Sequence, residues 1–141
     1  MRFMIMVKSQ PDFEAETTPQ TPDEALMAEM ADFHEALAKA GVLLDASGLQ
    51  PSRKGWRIHY EGDKRSVIDG PFAEAKELVA GFTTIQVRSR EEALEWSRRF
   101  PNPAGKGKQA VIEVRQLYEL DDFTPNEQVE RFRQMETPSL K

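Results

Sequence analysis

Gly81-Phe82-Thr83-Thr84-Ile85-Gln86-Val87 runs through Arg88 straight into Ser89-Arg90-Glu91-Glu92. The first stretch reads as a strand, with Phe82, Thr84 and Gln86 on one side and Thr83, Ile85 and Val87 on the other. The second is a capping box: a serine hydroxyl takes up a free amide of the first helical turn, and a glutamate three residues on reaches back. Ala93, Trp96, Ser97 and Phe100 then share one helical face, and Pro101 and Pro103 stop the helix. Ala110 to Leu120 follows as another strand, with Ala110, Ile112 and Val114 facing one way and Val111, Glu113, Arg115 and Leu117 the other.

The same order occurs nearer the start. Phe3 to Val7 is apolar on both faces, Phe3, Ile5 and Val7 on one and Met4 and Met6 on the other, as suits a strand inside a sheet. Residues 9–21, with Pro11 and Pro19, read as a loop. Thr21-Pro22-Asp23-Glu24 opens a helix with Thr21 as its cap, and Leu26, Met30, Phe33 and Leu37 form its apolar stripe up to Gly41. Val42 to Leu49 reads as a strand. Between the two halves, Trp56 to Tyr60 and Arg65 to Ile68 flank Glu61-Gly62-Asp63-Lys64 as a hairpin. Asp69-Gly70-Pro71-Phe72 is a turn, and Ala73 to Val79 reads as a helical turn or two. Thr124-Pro125-Asn126-Glu127 predicts a third capping box and a short last helix with Val129 and Phe132.

Strand, helix, strand, hairpin, strand, helix, strand predicts an α+β fold of the ferredoxin-like split βαβ kind, with an antiparallel sheet and both helices on one face. Residues 1–120 form that domain; residues 121–141 form a C-terminal helix and tail. The other face of the sheet is then expected to be apolar and bare, which is unusual for a monomer. A second copy, sheet against sheet, is the expected cover, since most oligomers are symmetric dimers. The alternative is the C-terminal helix folded over it through Val129 and Phe132.

Composition narrows the function classes. The 141 residues are 39% hydrophobic and 30% charged, a globular balance for one domain. A net charge of −5 argues against general nucleic-acid binding. The short basic clusters Arg53-Lys54 and Lys106-Gly107-Lys108 read as solvated loops. The absence of cysteine removes thiol catalysis and thiolate metal sites. Two histidines, His34 and His59, do not make a metal site, and no phosphate loop, dinucleotide fingerprint or nucleophile elbow is present. No cofactor is expected. The opening apolar run is too short for a signal peptide or a membrane span, which predicts a cytoplasmic protein that does not engage membranes.

The densest polar motif is Asp69-Gly70-Pro71-Phe72-Ala73-Glu74-Ala75-Lys76-Glu77. With Gly41-Val42-Leu43, Gly48-Leu49-Gln50-Pro51, Ala93-Leu94-Glu95-Trp96 and Glu113-Val114-Arg115, it closely resembles the DGPFAETKE family of YCII-related proteins over most of the chain. The resemblance implies a ferredoxin-like domain that pairs as a dimeric α/β barrel. It leaves the activity unassigned, while related members of the wider group carry a proposed His-Asp acid–base pair acting on small ring-derived substrates. Ala75 replaces the motif's threonine, Gln116 replaces the usual proline, and the offset of His34 from Gly41 departs from the group's histidine position.

As a site, Asp69 and His34 are the catalytic candidates, with Asp69 as general base. Phe72, Lys76, Arg115 and Phe33 are the ligand-binding candidates, Lys76 or Arg115 gripping an anion. Phe33, His34, Phe72 and Asp69 would line one pocket near the Asp-Gly-Pro-Phe turn for a small anionic or ring-derived metabolite. As structure, Asp69 bonds the turn's amides, Phe72 plugs the core, Glu74 and Lys76 pair in solvent, His34 packs, and Glu113 pairs with Arg115. The alternative function is a non-catalytic dimeric accessory or regulatory domain contacting another protein.

Overall fold

The computed structural model describes residues 1–15 and 23–136. Its main sheet has four strands in the order β2-β5-β1-β6, built from β1 (Arg2–Lys8), β2 (Leu43–Gly48), β5 (Val79–Gln86) and β6 (Ile112–Gln116). Every neighbouring pair is antiparallel. Helix α2 (Glu24–Lys39) links β1 to β2, and α3 (Arg90–Arg98) links β5 to β6, each spanning one intervening strand. This is the split βαβ topology read from the sequence.

Side-chain alternation decides where the core sits. Phe3, Ile5, Ile85 and Val87 project from the central strands and meet Phe33, Leu37, Val42 and Ala93. Ile5, Leu37 and Ile85 are fully buried. Phe33 meets Trp96 and Phe100 edge-on, with ring centroids 6.2 and 5.2 Å away, so α2 packs against the α3 segment above the same sheet face. Gly41 adopts φ +74° after α2, a conformation that suits glycine at a helix end.

The helix starts differ in detail from the expected caps. Asp23 caps α2, accepting from the Ala25 amide at 3.4 Å; Thr21 and Pro22 lie outside the described residues. Ser89 caps α3 through the Glu92 amide at 3.1 Å, while Glu92 reaches past the cap to the Arg88 amide at 2.9 Å. The last helix, α4 (Glu127–Met135), is capped by Asn126 rather than Thr124, through the Val129 amide at 2.8 Å. The supposed loop contains a short helix, α1 (Pro11–Ala15), begun by Pro11 at a position where its missing N–H costs nothing. β6 is shorter than expected and gives way to a single turn at Leu120–Asp122. Ala75–Glu77 is likewise one turn only, because β5 already begins at Val79.

The reverse face of the sheet is mixed rather than uniformly apolar. Met4 stands between Thr84 and Arg115, and Met6 between Phe82 and Glu113. The methionines and Phe82 are half-buried. Helix α4 does not cover this face through Phe132, which is 59% exposed. Instead Arg133 bonds Asp121 at 3.1 Å, and Arg2 of β1 bonds Glu119 at 2.8 Å. Within one chain the sheet is open, with β2 and β6 at its edges.

The hairpin is a separate two-stranded sheet, β3 (Trp56–Glu61) and β4 (Lys64–Asp69). All of its residues are exposed. No described helix is long and apolar enough to cross a membrane.

Candidate functional site

The Asp-Gly-Pro-Phe turn is an anchor built from three distant segments. Gly70 donates to the Gly55 carbonyl at 3.0 Å. A Cβ on Gly70 would fall 1.9 Å from the Ser52 carbonyl oxygen, so only glycine lets the two backbones approach this closely. The Gly70–Pro71 peptide is cis. The Phe72 amide is bound by Ser52 Oγ at 3.0 Å, not by Asp69. The Ser52 hydroxyl in turn donates to the Glu14 carboxylate, which also accepts from the Ser52 amide at 3.1 Å. Expectation and structure differ here because the capping group comes from 20 residues upstream in sequence.

Phe72 is half-buried beneath the Arg57 guanidinium, 3.8 Å from the ring centroid. A groove of about 590 Å3 runs beside it, walled by Glu14, Pro71, Phe72, Glu74 and Lys76. Glu74 holds φ 60° and ψ 61°, a left-handed conformation that turns the chain into the following helical turn.

A second cavity, of about 520 Å3, lies between α2 and the sheet. Met27, Met30 and Phe100 give it apolar walls, and His34 and Thr83 supply its polar pair. His34 Nδ1 lies 2.7 Å from the Met30 carbonyl, which can only accept, so the hydrogen sits on Nδ1. Nε2 lies 2.8 Å from Thr83 Oγ1. In the neutral ring the Thr83 hydroxyl therefore donates to Nε2; in the imidazolium the direction reverses. Both ring nitrogens are engaged within the chain, so a guest would reach Nε2 by taking the place of the Thr83 hydroxyl.

The predicted site residues are thus divided. His34 lines the α2 cavity, while Phe72 and Lys76 line the groove at the turn. Asp69 is exposed at the end of β4, opposite Trp56, and lines neither. Phe33 is 6% exposed and belongs to the core, since neighbouring helix positions point about 100° apart and His34 takes the cavity side. Arg115 is on the reverse face, 3.3 Å from Glu113. The single pocket of Phe33, His34, Phe72 and Asp69 does not form within one chain. Thr83 escaped the sequence reading, although a hydroxyl in the inward series Thr83-Ile85-Val87 was its signal. Ser52 and Glu14 left no local signal.

An open four-stranded antiparallel sheet with two helices on one face, and a separate antiparallel hairpin, make this a mixed α+β protein. The chain belongs to the YCII-related domain family, whose model matches residues 1–121. It is also similar to an uncharacterized protein of Rhizobium meliloti (strain 1021), 32% identical over 80 residues. That match covers 57% of this chain and 64% of the relative, so the chain spans less than two thirds of the curated protein it matches.

Proposed function

We propose that this YCII-related protein binds a small, ring-containing metabolite in the cavity between α2 and the sheet, with His34 as its polar contact. The carrying observation is the His34–Thr83 pair, 2.8 Å apart, set among methionine and phenylalanine walls. An apolar cavity of this size with one placed polar pair suits a compact organic guest. Turnover there would use His34 as the proton-transfer group. Asp69 enters only if a second copy brings it near, because within one chain it lines neither the cavity nor the groove.

The chain is proposed to act as a homodimer. Trp56, Ile58, Tyr60 and Val67 share one face of the hairpin and are 44% or more exposed, an apolar strip that a twin would cover. The half-covered Met4, Met6 and Phe82 on the reverse face support pairing there as well. The reading as an accessory domain draws on the same hairpin strip, with another protein in place of the twin.

A thermal-shift screen against small cyclic carboxylates and lactones tests the binding proposal. A guest at a hundredfold its Kd adds about 2.7 kcal/mol of stability. The hit should be lost in His34→Phe and kept in Asp69→Asn. A hit lost only in Asp69→Asn moves the site to the hairpin and overturns the proposal. Sedimentation at high micromolar concentration tests the pairing; a lone 16.1 kDa species sinks it.

A further inference from the structure

A third cavity, of about 570 Å3, lies around the end of β1 and is walled by Lys8, Ser9, Gln10, Lys76, Asn102 and Lys108. We infer that it is a binding site for a small oxyanion, a phosphate ester or a dicarboxylate, held by Lys8, Lys76 and Lys108.

Three lysines share one cavity in a chain whose net charge is −5. They come from three separate segments, so local composition does not explain their meeting. Backbone bonds bring them together: Ser9 donates to the Leu78 carbonyl at 2.8 Å, beside Lys76, and Lys8 donates to the Val111 carbonyl at 3.4 Å, beyond Lys108. The loop carrying Lys108 is itself constructed. Asn102 Nδ2 donates to the Lys108 carbonyl at 2.7 Å while its Oδ1 accepts from the Ala104 amide at 3.0 Å. Gly105 and Gly107, at φ +106° and +79°, make the bends between.

One observation independent of the lysine count, the Ser9 hydroxyl, points to an anion. The Lys8 side chain is only 22% exposed, yet its ion pair is loose, with Glu113 Oε1 4.0 Å away. Beside it Ser9 is 2% exposed, and its hydroxyl has no hydrogen-bond partner among the described residues. Buried hydroxyls are rarely left so. Glu113 is the carboxylate that faces this group within ion-pair reach, so the cavity keeps a net positive character. Its volume exceeds that of a bare phosphate and matches a small metabolite carrying one. Val7 lines the His34 cavity and Lys8 this one, consecutive residues of a strand directed to opposite sides, so the two sites are distinct.

The intact chain should be titrated with inorganic phosphate and, separately, with malonate at constant ionic strength, following backbone amide shifts. Saturable shifts at Ser9, Gln10, Lys108 and Gln109 are expected with at least one probe, and the tighter probe identifies the class. Lys76→Gln and Lys108→Gln, both at exposed positions, should each weaken binding about tenfold, as loss of one charge-assisted hydrogen bond does. Lys106→Gln, outside the cavity, should leave it unchanged. The inference is overturned if neither probe saturates, if chloride reproduces the shifts, or if Lys106→Gln weakens binding as much as the other two.

Discussion

The central sheet and the hairpin are written in the same alternating code and meet opposite fates. Phe3 and Ile5 alternate with methionines and are at most 5% exposed; Trp56, Ile58 and Tyr60 alternate with Arg57 and His59 and are 63%, 44% and 67% exposed. Alternation reports that a segment is extended. It does not report what covers either face, because the cover comes from elsewhere in the chain or from another molecule. Here α2 and α3 cover the four-stranded sheet, and the hairpin lies beyond their reach.

Energetics should show the division most sharply. Ile85→Ala empties a fully buried position on β5 and is expected to cost about 2–5 kcal/mol in urea denaturation, by lost burial and the cavity left behind. Ile58→Ala removes a similar group from the hairpin and should cost under about 1 kcal/mol in dilute protein. Equal losses would show that the hairpin is packed on something and would end the contrast.

The sequence displayed the sheet because each of its elements carries a local signature. Phe3 to Val7, the stripe Leu26-Met30-Phe33-Leu37, and the run from Gly81 into Ser89 each declare their type within a few residues. The topology followed from their order. The misreadings have physical sources. Asp23 and Asn126 cap their helices, although Thr21 and Thr124 sit two residues ahead in equally good capping-box patterns. Pro11 carries the signal of a breaker, yet it starts α1, where its missing N–H costs nothing. The site was less legible, because each cavity joins distant segments. His34 was visible as a candidate, but its partner Thr83 lies 49 residues away, and the Asp69 expected beside it ends a strand of the detached hairpin.

The link between the two regions is the Asp-Gly-Pro-Phe turn, and it can be cut. Gly70→Ala forces the backbone away from Ser52, since the added carbon would sit 1.9 Å from its carbonyl oxygen. A cost of about 1–3 kcal/mol is expected, in the range of other overpacking changes. Ser52→Ala deprives the Phe72 amide of its acceptor and the Glu14 carboxylate of one of its two donors, the Ser52 amide remaining. It should cost about 1–2 kcal/mol. Hydrogen exchange is the discriminating measurement for both. Amides of β3 and β4 should exchange faster while those of β1 and β5 keep their protection. Uniform loss of protection would mean that hairpin and sheet unfold as one unit.

The smallest effect on stability belongs to Trp56→Ser, and it carries the most information about assembly. Trp56 is 63% exposed in the single chain, so its loss should change the unfolding free energy of dilute protein by no more than about 0.5 kcal/mol. If a twin covers the strip of Trp56, Ile58, Tyr60 and Val67, the same substitution removes a central aromatic anchor from that contact. Anchors of this kind account for about 2 kcal/mol or more of association, roughly a thirtyfold weaker dimer by sedimentation. A change that leaves folding intact and dissociates the pair would place the hairpin's missing cover in the second copy. If the dimer survives Trp56→Ser with unchanged affinity, the pairing runs through Met4, Met6 and Phe82, and the hairpin strip is left for a different protein.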